Sequence, residues 1–567
     1  MRKFVITFLV LLWPQFVFAI FWPVEPINQP HALGNYWGEY QNYSWDPYLH
    51  PGIDIFGNPG DSVFAVRPGF VKAVLTTSGE WHWRVAIGDT DGPDSCNGWL
   101  YAHLEQSSIA VNEGDYVAQG QYLGRLVEWP IYNFHHLHFA CIRGGGWTWT
   151  SDWLFVGNPY DSLDVFNDTA PPVFYNAYNS YRFAISDNNN TSYYFNPGGS
   201  IQGTVDVIAK IDDLVGSDYW RVNPHKIEYT VHNDMLSFGP ILSFKFSDRL
   251  YWEDNIDVIY RDDAVCNTRG DYDYRDFYFI VTNTDGDGVV ESDDAPCGLK
   301  TTDFPDGNYW FVVTASDGVG NTTADSMTID MENNPTSPTL IYMIAETIPI
   351  IIPSDGGSFR YTGILRNNTN YAQNKDVWIM LNLPDGSPYG PLEIYHNVAL
   401  NPGQTISQQN IVQNVPAYAP AGEYSYIAYT GNYPYTVLDS AVIHFEKSVG
   451  TSQGAGDWQL TEWIHSEGVS DGYADGSILP ESNTLSANYP NPFNNSTVIR
   501  YNNVESPSNL RIYDISGRLI LSTPIRGSGE FIWRGADNDG IVVPTGIYFY
   551  RISGKTVSKT FRMTLLK

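Results

Sequence analysis

Short runs of alternating apolar and polar residues, separated by turn-forming residues, dominate the chain after residue 166. Residues 308–315 (NYWFVVTA) follow the turn dipeptide Asp306-Gly307, and residues 376–384 (DVWIMLNLP) and 422–429 (GEYSYIAY) have the same character. A period of two places every second side chain on one face of an extended strand. The pattern therefore predicts a mostly β, multidomain protein built from antiparallel sheets.

Changes in composition divide the chain into segments. Because 567 residues are too many for one hydrophobic core, we expect about four domains. We predict an antiparallel β domain at residues 20–166 and immunoglobulin-like β-sandwiches at 167–334 and 335–448. Residues 449–484, rich in Gly, Ser and acidic residues, are predicted to be a linker, and 485–567 a small terminal β-sandwich.

The charge balance is strongly acidic. The chain has 31 Lys and Arg residues against 63 Asp and Glu residues, a formal net charge of −32. Such a field repels phosphate backbones, which argues against a nucleic-acid partner. Apolar residues make up 43% of the sequence, which is ample for several buried cores.

The first residues have the pattern of a secretory signal peptide. Met1-Arg2-Lys3 precede an apolar run that ends with a small residue, Ala19. This run is too short to span a bilayer, and no later stretch reaches about 18 apolar residues. We therefore predict that residues 1–19 are a signal peptide and that the exported chain has no transmembrane anchor.

Four cysteines in an exported chain suggest two disulfides. Cys96 and Cys141 lie in the first domain, and Cys266 and Cys297 in the second, so pairing within each domain is expected. The alternatives are free thiols or zinc ligands, and no CxxC spacing supports the latter.

Three segments of residues 20–166 carry histidine in patterns suited to a metal site. In HLH at 136–138, strand geometry would place His136 and His138 on one face. HPGID at 50–54 offers His50 and Asp54, and YAHL at 101–104 offers His103. Zinc binds imidazole nitrogen and carboxylate oxygen, and a catalytic zinc keeps three protein ligands and one position for water.

His50, Asp54 and one histidine of the HLH pair would supply that ligand count. The two remaining histidines could then accept a proton from the water and stabilise an oxyanion. The other histidines of the domain, His31, His82 and His135, are expected to be structural.

These segments resemble the lysostaphin-type (LytM-like) zinc endopeptidases, which cut peptide bonds in bacterial cell walls. The resemblance rests on HPGIDI at 50–55, GDSVFAVRPGFVKAV at 60–74, YAHL at 101–104, VNEGDYVAQGQYLG at 111–124 and HLHF at 136–139. It implies that His50, Asp54 and His138 bind zinc and that His103 and His136 are the catalytic pair. Residues 126–134 (LVEWPIYNF) depart from the Gly/Ser/Thr-rich loop that this family usually has before HLH, which affects the substrate groove.

A second candidate metal site is the acidic turn at residues 283–294. Calcium-loop positions 1, 3, 5, 7, 9 and 12 are filled by Asn283, Asp285, Asp287, Val289, Glu291 and Asp294. Position 6 is the expected glycine, Gly288, but position 12 is Asp rather than Glu. The alternative is an acidic turn that binds no Ca²⁺.

The C-terminal segment resembles the C-terminal sorting domain of type IX secretion substrates. The resemblance rests on LSANYPNPFNNSTVIRY at 485–501, LRIYDISGRLI at 510–520, FIWRGADNDGIVVPTGIYFYRI at 531–552 and FRMTLLK at 561–567. It implies handling by the type IX secretion machinery and passage through the periplasm to the cell surface or the medium. The alternative is a terminal structural domain without a targeting role.

We therefore expect a secreted zinc metalloendopeptidase that hydrolyses amide bonds in the cross-link peptides of peptidoglycan, or in Gly-rich proteins. Two hypotheses from another class stay open. One is a cell-wall-binding protein whose peptidase-like domain does not cut, and the other is an adhesive surface protein whose sandwiches are the functional part.

Overall fold

The computed structural model describes most of the exported chain. The described residues are 20–43, 46–77, 79, 83–131, 133–144, 156–163, 168–217, 219–247, 255–271, 274–450, 458–460, 463, 484–485, 493, 496–514, 518–538, 540–553 and 561–566. The predicted signal peptide, His82 and most of the predicted linker lie outside them. Within these ranges, no helix has the length and hydropathy needed to cross a membrane.

Twelve short strands build the region that carries the histidine segments. They are β1 (Leu33–Asn35), β2 (Tyr40–Gln41), β3 (Tyr48–Leu49), β4 (Ile53–Phe56), β5 (Ser62–Phe64), β6 (Gly69–Leu75), β7 (Arg84–Gly88), β8 (Gly98–Ala102), β9 (Tyr116–Val117), β10 (Tyr122–Arg125), β11 (His136–Ile142) and β12 (Val156–Gly157). The main sheet has the order β1-β4-β11-β8-β7-β6-β9, with β12 also paired to β11. Strand β11 therefore lies between β4 and β8.

Strand β11 is covered on both faces, which explains its composition. Leu137 and Phe139 are fully buried in the hydrophobic core, and Phe139 stacks on Trp99 of β8 with ring centroids 5.4 Å apart. Because side chains alternate along a strand, His136 and His138 share the opposite face.

The described part of the next region contains thirteen strands and one short α-helix. They are β13 (Val173–Tyr175), β14 (Phe183–Asp187), β15 (Ser200–Ile201), β16 (Thr204–Leu214), β17 (Arg221–Val222), β18 (Lys226–His232), β19 (Ser237–Lys245), α1 (Ile256–Ile259), β20 (Arg269–Gly270), β21 (Arg275–Asp276), β22 (Tyr278–Ile280), β23 (Leu299–Lys300), β24 (Gly307–Ser316) and β25 (Thr322–Met331). One sheet is organised around β16 with β13, β14, β17, β22 and β23, and the other has the order β15-β25-β24-β18-β19. Along β24 the alternation predicted from sequence is present, since Tyr309 and Phe311 are buried whereas Trp310 is exposed.

These two regions share one hydrophobic core. A continuous cluster of buried side chains begins at Ile20 and Trp22 and continues through the first sandwich. At the boundary, Trp220 packs against Phe134 and Phe56, with ring centroids 4.9 and 6.1 Å apart. Burial of this kind stabilises both regions together, because the apolar surface of each is removed from water by the other.

The second sandwich is formed by eight strands. They are β26 (Thr339–Ala345), β27 (Ile351–Ile352), β28 (Gly357–Asn367), β29 (Gln373–Asn382), β30 (Pro388–Leu400), β31 (Thr405–Val415), β32 (Gly422–Asn432) and β33 (Thr436–Lys447). They form a three-stranded sheet, β26-β28-β31, and a five-stranded sheet, β27-β33-β32-β29-β30. The two-sheet architecture follows the sequence pattern, and the immunoglobulin-like type of both sandwiches stays a prediction.

Strand β26 joins the two sandwiches. All seven of its residues are buried. Leu340, Tyr342 and Ile344 belong to the first core, whereas the alternate residues Ile341 and Met343 belong to the second. After Thr339 the strand is apolar because each of its faces lies in a different core.

Residues 467–567 form a separate compact unit. Its strands are β34 (Thr484–Leu485), β35 (Thr497–Asp514), β36 (Leu519–Trp533), β37 (Gly546–Ser553) and β38 (Phe561–Leu565). They are hydrogen-bonded into one antiparallel sheet. The pairing between β35 and β36 contains register shifts. Trp533 and Tyr548 anchor the core of this unit, with ring centroids 5.1 Å apart.

Neither predicted disulfide is present in the structure. The Sγ atom of Cys96 lies beside Gly88 of β7, where a Cβ atom on the glycine would be 2.8 Å from it. Cys141 lies on β11, on the far side of β8. The structure therefore does not confirm the expected Cys96–Cys141 bond, because β8 lies between Gly88, which Cys96 contacts, and Cys141.

The second expected disulfide, Cys266–Cys297, is also not confirmed. Cys266 is buried in a small cluster with Ala177 and Ile208, and burial raises the pKa of its thiol to about 12. The thiol of Cys297 instead contacts the backbone oxygen of Asp293, at 3.6 Å. The two thiols lie in separate environments of the same region.

Candidate metal centre and active site

The register of three neighbouring strands brings the predicted zinc ligands together. His138 of β11 lies opposite Asp54 of β4 on one side and opposite Ala102 of β8 on the other. His50 follows β3 directly, and His103 follows the last residue of β8. Residues that are far apart in sequence therefore meet at one place on the sheet.

The three predicted ligands form a compact triangle. The Nε2 atom of His50 is 3.2 Å from Oδ1 of Asp54, and Nδ1 of His138 is 3.0 Å from the same oxygen. The two histidine nitrogens are 3.1 Å apart. Ligands about 2.0–2.1 Å from a tetrahedral zinc lie about 3.3 Å from one another. The triangle thus has the size of one face of a zinc coordination shell, and the residues present fit the metal.

Backbone carbonyl groups fix the tautomers of two of the histidines. The Nδ1 atom of His50 lies 3.0 Å from the carbonyl oxygen of Tyr36, and Nδ1 of His136 lies 2.8 Å from that of Phe134. A carbonyl can only accept, so each Nδ1 carries a hydrogen, and in the neutral ring each Nε2 presents a lone pair. Such contacts orient metal ligands and raise their basicity.

The protonation states of the group suit a cation. Burial alone raises the pKa of Asp54, but His136 and His50 hold it well below its usual range. Burial lowers the pKa of His138 to about 4, so this ring is neutral at pH 7. For His50 the effect of burial is outweighed by Asp54, which raises its pKa, and metal binding would release that proton.

The predicted catalytic pair lies beside the triangle. The rings of His103 and His136 have centroids 4.7 Å apart, and His103 lies 5.8 Å from His138. His103 has φ = 70°, a left-handed conformation that costs energy for a residue with a Cβ atom. Its backbone is held there by hydrogen bonds with Trp83 and Val127.

A tryptophan that the sequence motifs did not single out packs on this pair. Trp129 lies in the 126–134 segment, and its ring centroid is 4.5 Å from that of His103 and 4.8 Å from that of His136. Its backbone N–H donates to Nδ1 of His135 at 3.1 Å, which gives His135 the structural role expected for it. His31 is also structural, since its Nδ1 lies 3.0 Å from the carbonyl oxygen of Phe56.

Hydrogen bonds connect Asp54, through Asn35, to Arg275 of the first sandwich. Asn35 donates to Oδ2 of Asp54, and Arg275 of β21 donates to Oδ1 of Asn35 at 2.6 Å. Arg275 also pairs with the buried Glu39 at 3.1 Å. Sequence analysis missed Asn35, Glu39 and Arg275, because nothing in the local pattern connects residues so distant along the chain.

The carboxylates of the acidic turn at 283–294 do not converge as a triplet of ligand atoms. Both oxygens of Asp294 accept backbone N–H groups of the turn, from Asp285 and Glu291, each at 2.9 Å. The amide of Asn283 donates to the carbonyl oxygen of Val258 at 3.2 Å, inside the domain. Within the described ranges, triplets of acidic, histidine or cysteine ligand atoms converge elsewhere. The calcium hypothesis for this turn gains no support from the structure and stays a prediction.

Comparison with known families agrees with the site. Residues 48–148 match the model of peptidase family M23. We refer to the domain that carries this segment as the M23 domain. Residues 487–565 match the model of the secretion system C-terminal sorting domain. Both resemblances expected from the sequence motifs are thus confirmed.

Solved structures show further similarity. The catalytic domain of the antimicrobial peptidase lysostaphin from Staphylococcus simulans is 23% identical, with 23% of this chain and 89% of that one covered and a TM-score of 0.19. The catalytic domain of the prophage-encoded M23 protein EnpA from Enterococcus faecalis is 26% identical, with 20% and 83% covered and a TM-score of 0.17. Latent PorU from Porphyromonas gingivalis is 12% identical, with 77% and 36% covered and a TM-score of 0.15. A comparison with curated proteins finds no match.

Proposed function

We propose that this chain is an exported zinc metalloendopeptidase that hydrolyses amide bonds in the peptides of peptidoglycan. The observation that carries the proposal is the triangle of His50, Asp54 and His138, with His103 and His136 beside it. The match of residues 48–148 to peptidase family M23 supports the reaction class.

His50, Asp54 and His138 would hold the zinc. A zinc ion bound there would acidify a water molecule and polarise the scissile carbonyl group. The Nε2 atom of His136 presents a lone pair and can accept a proton from the attacking water, because its Nδ1–H donates to Phe134. His103 can stabilise the oxyanion of the tetrahedral intermediate and assist proton transfer to the leaving amine.

The substrate is proposed by analogy with the names of similar proteins. Lysostaphin is named as an antimicrobial peptidase. Trp129, packed on both catalytic histidines, would give the substrate groove an apolar wall that suits an extended peptide. Gly-rich proteins are the second substrate class to include in the assay.

The sorting domain supports a site of action outside the producing cell. We propose that the type IX secretion machinery carries the chain from the periplasm to the cell surface or the medium, because residues 487–565 match a secretion sorting domain. There it would meet the walls of other cells, or external proteins. Deleting residues 485–567 should leave the purified protein active but trap it in the periplasm of a host with that machinery. Normal arrival of the truncated protein in the medium would contradict the targeting role.

The activity is tested with the whole exported chain, because the M23 domain and the first sandwich share one core. Zinc-loaded protein is incubated with peptidoglycans that differ in their cross-bridges and with a Gly-rich protein, and new amino termini are identified by mass spectrometry. We expect cleavage that His136→Ala abolishes without loss of zinc. If fully zinc-loaded protein releases no fragment from any substrate, the proposal is wrong and the wall-binding hypothesis is favoured.

A further inference from the structure

Three aspartates converge at a second place in the molecule. Asp168 lies in the segment that leads out of the M23 domain, Asp213 lies on β16, and Asp317 begins the turn between β24 and β25. One carboxylate oxygen of each lies within 4.8 Å of the others. This acidic trio lies outside the proposed active site and outside the acidic turn at 283–294.

The trio contains buried oxygens that have no hydrogen-bond partner. Asp213 is 2% exposed, and its Oδ1 atom makes no hydrogen bond. The Oδ2 atom of Asp168 is also buried and unpaired, although Oδ1 accepts from the N–H of Ala170 at 3.1 Å. A buried carboxylate oxygen without a partner is costly, so this arrangement calls for a proton, a water molecule or a cation at the site.

Asp317 is held rigidly in place. Its Oδ1 atom accepts three backbone N–H groups of its own turn, from Val319, Gly320 and Asn321, and its Oδ2 atom accepts the amide of Asn321 at 2.6 Å. The same amide also lies 3.2 Å from the backbone oxygen of Asp168. One ligand of the trio is therefore preorganised, and the segment of Asp168 is tied to it.

No basic side chain neutralises the trio within the described part of the chain: the salt bridges found there involve other acidic residues. Burial, together with the charges of Asp168 and Asp317, raises the pKa of Asp213 to about 8. Three carboxylates this close repel one another unless they are protonated or bind a cation.

We propose that Asp168, Asp213 and Asp317 bind a Ca²⁺ ion that fastens the segment leading out of the M23 domain to the first sandwich. The donor set is entirely oxygen, which is the preference of Ca²⁺, whereas zinc prefers nitrogen and sulfur. Two oxygens on opposite sides of Ca²⁺, each at about 2.4 Å, lie up to about 4.8 Å apart, so three oxygens within 4.8 Å of one another can contact the same ion. Three carboxylates also leave one negative charge after the ion binds, so the ion does not create a buried excess of positive charge.

The position of the trio gives the ion a mechanical role. Gly318, next to Asp317, packs so closely on Tyr160 that a Cβ atom there would lie 2.4 Å from the ring. Tyr160 packs edge-on against Tyr36, with centroids 5.3 Å apart, and the carbonyl oxygen of Tyr36 orients His50. The ion would therefore hold the turn at Asp317 against Tyr160, which packs on Tyr36 at the edge of the M23 domain.

The test uses the whole exported chain, kept loaded with zinc and dialysed free of calcium. Calcium per chain is counted by elemental analysis, affinity is measured by isothermal titration calorimetry, and thermal unfolding is followed with and without calcium. We expect binding with a Kd of about 10⁻⁴–10⁻³ M, as in other extracellular modules, and a rise in melting temperature by mass action on the folded state. Asp213→Asn should lose one bound calcium and the thermal shift, while keeping its zinc.

Three matched variants keep the test decisive. Asp168→Asn, at the less buried position, should also lose one calcium, which covers the case in which Asp213→Asn fails to fold. Asp161→Asn changes a neighbouring aspartate that pairs with His225 and should keep the calcium. A double variant, Asp285→Asn with Asp287→Asn, should keep the calcium that Asp213→Asn loses. Failure of the unchanged protein to bind calcium at about 1 mM, or an unaltered calcium count in a folded Asp213→Asn or Asp168→Asn protein, would overturn the proposal.

Discussion

The two triplets of converging ligand atoms, one in the M23 domain and one at its border with the first sandwich, differ in chemistry and in support. The first combines two imidazole nitrogens with a carboxylate oxygen, and carbonyl groups fix the tautomer of His50. The second consists of three carboxylates, of which Asp213 and Asp168 have unpaired buried oxygens. The first set suits a Lewis-acidic ion with one open position, and the second suits an ion that only links chain segments.

The comparison also shows how each set is assembled. Register between adjacent strands of one sheet brings His138 and Asp54 together, and the short motifs around them carried the family resemblance that anticipated their meeting. Asp168, Asp213 and Asp317 come from a connecting segment, a strand and a turn that are far apart in sequence and meet only through tertiary packing. We expect the two sets to act independently, so that a substitution in one set leaves the metal content of the other unchanged.

The largest difference between the two sets is expected from His138→Ala. Removing one of three protein ligands should release zinc and reduce peptide hydrolysis by about 10³-fold or more, because the metal then activates neither water nor carbonyl. Zinc per chain and turnover of a wall peptide measure both effects. Asp213→Asn is the matched change in the other set and should leave zinc content unaltered. Loss of zinc from both variants would show that the two sets are coupled.

The next effect concerns the catalytic pair. His103→Ala and His136→Ala should keep zinc but lower kcat by about 10²–10⁴-fold, because each removes a group that acts on the proton or the oxyanion. Elemental analysis and steady-state kinetics on the same samples separate binding from chemistry. Zinc loss in the His136→Ala protein would assign that residue to the ligand set instead.

Support from the first sandwich can be removed with Arg275→Ala. This change leaves Glu39 buried without its cationic partner and frees Asn35 from the contact that orients it toward Asp54. Breaking such a buried pair should lower the free energy of unfolding by about 3–5 kcal/mol, and zinc affinity should fall about 10–100-fold. Denaturant unfolding and competition with a zinc chelator measure the two effects.

A surface arginine provides the control for that experiment. Arg269 pairs with Asp271 at 2.7 Å, but its side chain is 41% exposed. Arg269→Ala should leave both stability and zinc affinity nearly unchanged, because exposed ion pairs contribute little. Equal effects of the two substitutions would mean that Arg275 acts only through general surface charge.

The smallest effects should come from a pair of glycines, one beside each set. A Cβ atom on Gly52 would lie 2.8 Å from the ring of His138, and a Cβ atom on Gly318 would crowd Tyr160 behind Asp317. Each Gly→Ala change should cost about 1–3 kcal/mol of stability through overpacking. Gly52→Ala should weaken zinc binding and leave the calcium response intact. Gly318→Ala should weaken the calcium response and leave zinc binding intact. A change in both metals in either variant would argue against independent sites.

The zinc ligands and catalytic histidines could be anticipated because their signals are local. The alternation in HLH places His136 and His138 on one face whatever the rest of the fold does, and the short motifs around His50 and His103 carried the family resemblance. The structure brings all five predicted residues together. Their roles as ligands or catalysts remain for the experiments above.

Predictions that depended on pairing between distant elements were less successful. Cysteine count suggested Cys96–Cys141 and Cys266–Cys297, but β8 separates the first pair and the thiols of the second lie in different environments. The acidic turn at 283–294 matches a calcium template in spacing, yet its carboxylates accept backbone N–H groups, as those of Asp294 show. Spacing along the chain does not say which acceptor a carboxylate will find once it is folded.

The sequence by itself determined the β character of the chain, its M23 and sorting segments, and the face of β11 that carries the histidines. These properties follow from period-two alternation and from short contiguous motifs, which depend on a few neighbouring residues. Only the tertiary structure decided that β26 lies between two cores, that Arg275 supports Asp54 through Asn35, and that three distant aspartates converge. The physical reason is that such contacts arise from the packing of whole sheets, in which burial of apolar surface fixes positions that no local sequence pattern encodes.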